Sequence, residues 1–187
     1  SEPRSFKHYW EDFTVGSVRE FGATPVSRSA VIEFARQFDP QPFHLDDAAA
    51  EASLFGGLSA SGWHTCAMAM RMMCDAYLLD SSSLGSPGID NLRWLKPVFP
   101  GDTLSMRLTV LAARAMNSRP GVGLVQSRWE LFNQHREAVL SMEGCHCVSL
   151  GAQTPPWDLV QAAAALDADI VALSFTGTMG PNPIHDG

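Results

Sequence analysis

Several features that would settle this chain's class at once are missing. No run of about 18 consecutive apolar residues occurs, so no membrane-spanning helix is expected. The opening SEPRSFKHYW has no apolar core of the kind a secretion signal needs. Cysteine is scarce: Cys66, Cys74, Cys145 and Cys147 are the only 4 in 187 residues. That is too few for a disulfide framework, and reduced thiols in a cytoplasmic setting are the simpler expectation. Positive charge is in deficit, 13 Lys and Arg against 20 Asp and Glu, and a net charge of −7 argues against a nucleic-acid partner. Paired metal-ligand spacings are missing too. Cys145-His146-Cys147 lacks the Cys-x₂-Cys spacing of a zinc site and no second ligand pair accompanies it. It is expected to be a strand with both cysteines on one face and no metal.

What is present reads as one soluble domain of α+β class, with 45% hydrophobic residues and length enough for a core. Residues 17–24 alternate like a strand. Ser27 is a plausible helix N-cap, and Val31, Ile32, Phe34, Ala35 and Phe38 recur at helical spacing, predicting a helix over about 28–38. Asp46 or Asp47 can cap a short helix through Ala48–Ala52. A long helix is predicted over 61–79, apolar nearly all round and therefore buried, with Arg71 and Asp75 spaced to pair. Residues 80–88, DSSSLGSPG, read as an exposed loop. The period then changes. Strands are predicted at about 89–98, 103–115, 122–133 and 137–150, joined by short turns and hence antiparallel. Residues 1–150 form the expected domain. Residues 151–187 are an extension of unknown role, with a helix-like stretch over 157–166 and a strand-like one over 170–175.

The chemistry concentrates in FDPQPFHLDDAAAEASLFGGLSASG, residues 38–62. The predicted helix delivers Asp39 at its end. Pro40 and Pro42 cannot continue it, and each restricts the residue before it, so the loop from Asp39 to His44 is stiff. An acid and an imidazole on one stiff loop can move protons. Gly62, at the start of the long helix, offers a backbone N–H beside the positive end of the helix dipole, where an oxyanion can sit. Each residue also has a plainer reading: Asp39 as a turn cap, His44 as a satisfied turn histidine, His64 as a packing residue, and Met68, Met70, Met72 and Met73 as core rather than an acyl-chain pocket.

Asp39-Pro-Gln-Pro-Phe-His44 with Asp46, FGG and ASGW, followed by Leu92-Arg-Trp-Leu-Lys-Pro-Val-Phe-Pro-Gly-Asp102, resembles the MaoC-like dehydratases, or (R)-specific enoyl-CoA hydratases, over about residues 10–150. The resemblance implies a hot-dog fold, an antiparallel sheet wrapped around a long central helix. It implies catalytic roles for Asp39, His44 and the Gly62 N–H, which leaves Gln41, Ser61 and Trp63 as substrate-binding candidates. It further implies reversible hydration of a 2-enoyl thioester without metal or redox cofactor, coenzyme A being part of the substrate, and a homodimer or dimer of dimers. Two positions depart from the family pattern: Gln41 stands where Asn is usual, and Ser61 where His is frequent. These departures motivate a second reading, a non-catalytic acyl-thioester-binding or assembly subunit. A thioesterase is disfavoured because Asp75 lies about three to four helical turns beyond Gly62.

Overall fold

In a computed structural model, residues 6–149 apart from 118 and 120 are described. Five strands form one antiparallel sheet in the order β1-β3-β4-β5-β2: β1 (Val18–Pro25), β2 (Ser83–Trp94), β3 (Thr103–Ala115), β4 (Val122–Phe132) and β5 (Ala138–Ser149). Three α-helices lie between β1 and β2: α1 (Arg28–Phe38), α2 (Asp47–Glu51) and α3 (Gly62–Met73). This is the expected hot-dog arrangement, with α3 as the helix the sheet wraps. The expectations for residues 151–187 fall outside the described residues.

Alternation builds the core. Leu104, Met106, Leu108 and Val110 of β3, Val125, Trp129 and Leu131 of β4, and Leu140, Met142 and Val148 of β5 pack with Ala69, Met72 and Met73 of α3. Burying these side chains is the main favourable term holding helix to sheet. One glycine lets β1 close on the helix. At Gly22 the backbone has φ +82, and a Cβ there would lie 2.5 Å from the sulfur of Met72. The β1–β3 register shifts between Phe21 and Thr24, so Gly22 sits at a bulge.

The helix caps follow their sequence signals. Ser27 accepts from the Ala30 N–H, and Asp46 from the Ala49 N–H. Asp47 instead pairs with Arg28, and Arg71 with Asp75.

Four expectations are corrected. The stretch 80–88 is not wholly loop: β2 begins at Ser83 and includes Pro87. An edge strand tolerates Pro and Gly because one side of its backbone owes no hydrogen bonds to a neighbour, and the β2–β5 register shifts in three places to absorb them. The same strand stops at Trp94 rather than near 98. The central helix is α-helical only to Met73 and continues as a π-helical turn, Cys74–Leu78. Nor is that helix buried all round, because a single sheet covers one side of it. Trp63 remains 59% exposed and Met70 51%.

Candidate functional site

Asp39 is the C-cap of α1, its N–H donating to the Ala35 carbonyl. The two prolines then turn the chain, and Pro42–His44 winds into a single 3₁₀ turn. This turn tucks His44 inward until it is only 4% exposed. Phe43 meets the imidazole edge-on at 4.6 Å, and Phe55 lies nearly parallel to it at 6.0 Å.

The two motif segments are joined by backbone. Ala60 N–H donates to the Val98 carbonyl at 2.8 Å, laying residues 59–61 beside the second motif. In that second motif, Asp102 holds its own turn by accepting from the Phe99 N–H. Ser61 then caps α3, accepting from the Trp63 N–H at 3.2 Å.

The acid and imidazole meet here. His44 Nδ1 lies 2.7 Å from the Ser59 carbonyl oxygen. A carbonyl only accepts, so Nδ1 carries the proton, and in the neutral form of the ring the lone pair is at Nε2. That Nε2 lies 3.5 Å from Asp39 Oδ2. Ser61 Oγ donates to the same oxygen at 2.6 Å, and Gln41 Nε2 donates to Oδ1 at 2.7 Å. Burial works to raise the Asp39 pKa, but the Ser61 and Gln41 donors and the His44 ring together outweigh it and hold the carboxyl below its ordinary value. A carboxylate and an imidazole lone pair side by side are two acceptors that one water, a donor of two protons, can reach from the pocket side.

This pair opens onto a pocket of about 470 Å³ whose wall includes Asp39, Gln41, His44, Gly62, Trp63 and Trp94. The Gly62 N–H lies in the first turn of α3, where the helix supplies no acceptor. A Cβ on Gly62 would fall 2.6 Å from the Trp94 indole, so glycine is what lets that ring approach the helix entrance so closely. Trp63 and Trp94 touch at 5.4 Å with their planes 81° apart, forming a corner at the rim. A depression of about 570 Å³ along α1, lined by Ser29, Ile32, Glu33, Arg36 and Gln37, shares no residue with this pocket.

The residues singled out in the sequence therefore gather in one place, with one change of position. Ser61, expected against substrate, is fully buried and turned toward Asp39. The carboxylate beside it is a weak base for an alcohol, so Ser61 acts as an orienting donor. His64 packs face to face on Phe34 at 4.7 Å. Of the methionine run, none lines the pocket. Cys145 and Cys147 face away from the core while His146 faces into it, so the three cannot converge on one ion. Sequence reasoning missed Phe43, Phe55, Val98 and Trp94 as wall residues. All four lie inside the motif segments quoted above, and that membership was the signal they carried.

Known proteins place this geometry. The model of the MaoC-like domain matches residues 12–127. The uncharacterized protein YdeM of Bacillus subtilis is 28% identical over 133 residues, 71% of this chain and 93% of that protein. Mesaconyl-CoA hydratase of Cereibacter sphaeroides is 53% identical over 49 residues, 26% of this chain and only 14% of the enzyme. Among solved structures, a MaoC-like dehydratase from Rhodospirillum rubrum superposes with a TM-score of 0.72 at 39% identity, over 76% of this chain and 97% of that one. A family model over more than half of the chain and a matching fold lead to one conclusion: the chain belongs to the MaoC-like domain family.

Proposed function

We propose that this protein is a hydro-lyase that reversibly adds water across the double bond of a 2-enoyl thioester, with coenzyme A as the carrier. One observation carries the reading: the 3.5 Å approach of His44 Nε2 to Asp39 Oδ2, with the imidazole tautomer fixed by the Ser59 carbonyl. A water held between these atoms gives one proton to the pair. Its oxygen bonds to the β-carbon while the π-electrons move toward the thioester. The α-carbon then takes a proton from the same pair, and the carbon–oxygen double bond of the thioester is restored. In between, negative charge on the thioester oxygen is met by the Gly62 N–H at the positive end of α3. Dehydration of the 3-hydroxyacyl thioester retraces these steps. No metal or redox group takes part in this scheme. The enoyl-hydrating activity in the name of the mesaconyl-CoA relative supports it.

The first test is loss of the conjugated-thioester absorbance when the protein meets crotonyl-CoA and a longer 2-enoyl-CoA. Wild type is expected to turn over and Asp39→Asn to lose roughly a hundredfold or more in kcat while still binding ligand. Saturable binding without turnover would instead favour a binding subunit.

We further propose that the chain pairs with a second copy. Trp63 and Met70 on α3 and Trp94, 49% exposed on edge strand β2, are exposed apolar side chains near a strand edge that is unpaired among the described residues. Sedimentation should give the dimer mass. A monomer at micromolar concentration would refute the pairing.

A further inference from the structure

The two oxygens of Asp39 are not equivalent. Oδ2 faces the reaction: it accepts from Ser61 and lies 3.5 Å from His44 Nε2. The opposite oxygen, Oδ1, accepts from Gln41 Nε2 at 2.7 Å. Gln41 is positioned for this by its own backbone. Its N–H donates to the Asp39 carbonyl at 2.8 Å, and it is the N-cap of the 3₁₀ turn that carries His44. The loop therefore closes on itself twice, through main chain and through side chain.

We propose that Gln41 is a positioning residue that anchors Oδ1 and thereby fixes Oδ2 as the oxygen that exchanges protons with water and substrate. A carboxylate attached to its chain through two single bonds turns freely unless both oxygens are held. With Oδ1 tied, rotation about the Cβ–Cγ bond is blocked and the lone pairs of Oδ2 keep their aim at His44. The bond is exposed in the free protein. Substrate filling the pocket removes water from Gln41 and Asp39 together, and the interaction strengthens as the local dielectric falls. The glutamine reaches back to the second residue before it. This gives the departure from the family's usual asparagine a specific duty at the carboxylate.

The kinetic half of this inference rests on the hydration reading, and the spectroscopic half does not. Gln41→Leu removes the donor and keeps the bulk. Gln41→Glu replaces it with an acceptor that repels the Asp39 anion. In turnover, kcat is expected to fall about tenfold in Gln41→Leu with KM changed less than about twofold. A lost donor destabilises the anion, so the acidic limb of the kcat–pH profile moves to higher pH, further in Gln41→Glu. In the substrate-free protein, NMR of isotope-labelled carboxyl carbons, assigned with Asp39→Asn, should show the Asp39 titration displaced upward in the same order. An unmoved Asp39 titration in both variants overturns the proposal. So does a raised KM with kcat and pH limb unchanged, which would make Gln41 a plain substrate contact. If wild type hydrates no enoyl thioester, the hydration reading fails, and the carboxyl titration still decides whether Gln41 anchors Oδ1.

Discussion

Two histidines in this protein are equally hidden and could hardly differ more. His44 is 4% exposed and His146 is 5% exposed. The first has one nitrogen on a carbonyl and the other facing a carboxylate. His146 sits on β5 with its ring edge-on to Phe13 at 5.4 Å and tilted toward Trp129 at 6.3 Å, and among the described residues neither ring nitrogen meets a partner at hydrogen-bonding geometry. Burial pushes its pKa down to about 4, the nearby Val125 backbone opposing only part of that. Burial alone therefore does not fit a histidine for proton transfer. A charge partner on one side, a fixed tautomer on the other and an open pocket in front make His44 the candidate of the two.

The comparison is broken most forcefully by His44→Ala. Removing one member of the proton-transfer pair is expected to cost roughly a hundredfold or more in kcat, while His146→Leu leaves kcat within about twofold. Steady-state rates on an enoyl thioester measure both. Equal losses would mean that both rings serve the reaction.

A smaller effect is expected from Gly62→Ala. The new methyl group collides with the Trp94 ring and pushes it off the helix entrance. A loss of about tenfold in kcat/KM follows if the indole helps shape the space before the oxyanion donor. Adding Trp94→Ala should then recover part of the loss, a coupling that a double-mutant cycle detects.

The mildest change under ordinary conditions concerns acid. A histidine with its folded pKa depressed from 6.5 to about 4 binds its proton more readily unfolded. Its contribution is fully present above about pH 6.5 and is lost as pH falls toward 4, for a total of about 3 kcal/mol. Urea unfolding across that window should show a shallower acid decline in His146→Leu than in wild type. Parallel declines would assign the acid sensitivity to other groups.

The contrast also shows what was legible in sequence. Asp39 and His44 were readable because prolines confine the loop between them, so proximity in sequence becomes proximity in space. The strands from β3 onward were readable from alternation. That same alternation places His146 opposite in direction to Cys145 and Cys147. Trp94 against Gly62 was not readable, because the end of an edge strand meets the start of a helix through long-range packing that leaves no periodic trace. The start of β2 was hidden by Gly85, Pro87 and Gly88, residues that ordinarily argue for loop and that only an edge position tolerates. Nor does the sequence say that α3 keeps one apolar side uncovered. That depends on how far a five-stranded sheet can curl around it.

The Trp63–Trp94 corner also gives this molecule an optical property. Of the 5 tryptophans in the chain, these two stand half in solvent at the pocket rim, while Trp129 is deeply buried with its indole N–H donating to Tyr77. Water relaxing around an excited indole shifts its emission to the red, so the rim pair and the buried ring should emit at different wavelengths. On the proposed function, a thioester arm laid against the corner is expected to dry the first pair and leave the buried ring untouched. On that reading the protein carries its own ratiometric reporter of occupancy, readable without label or turnover.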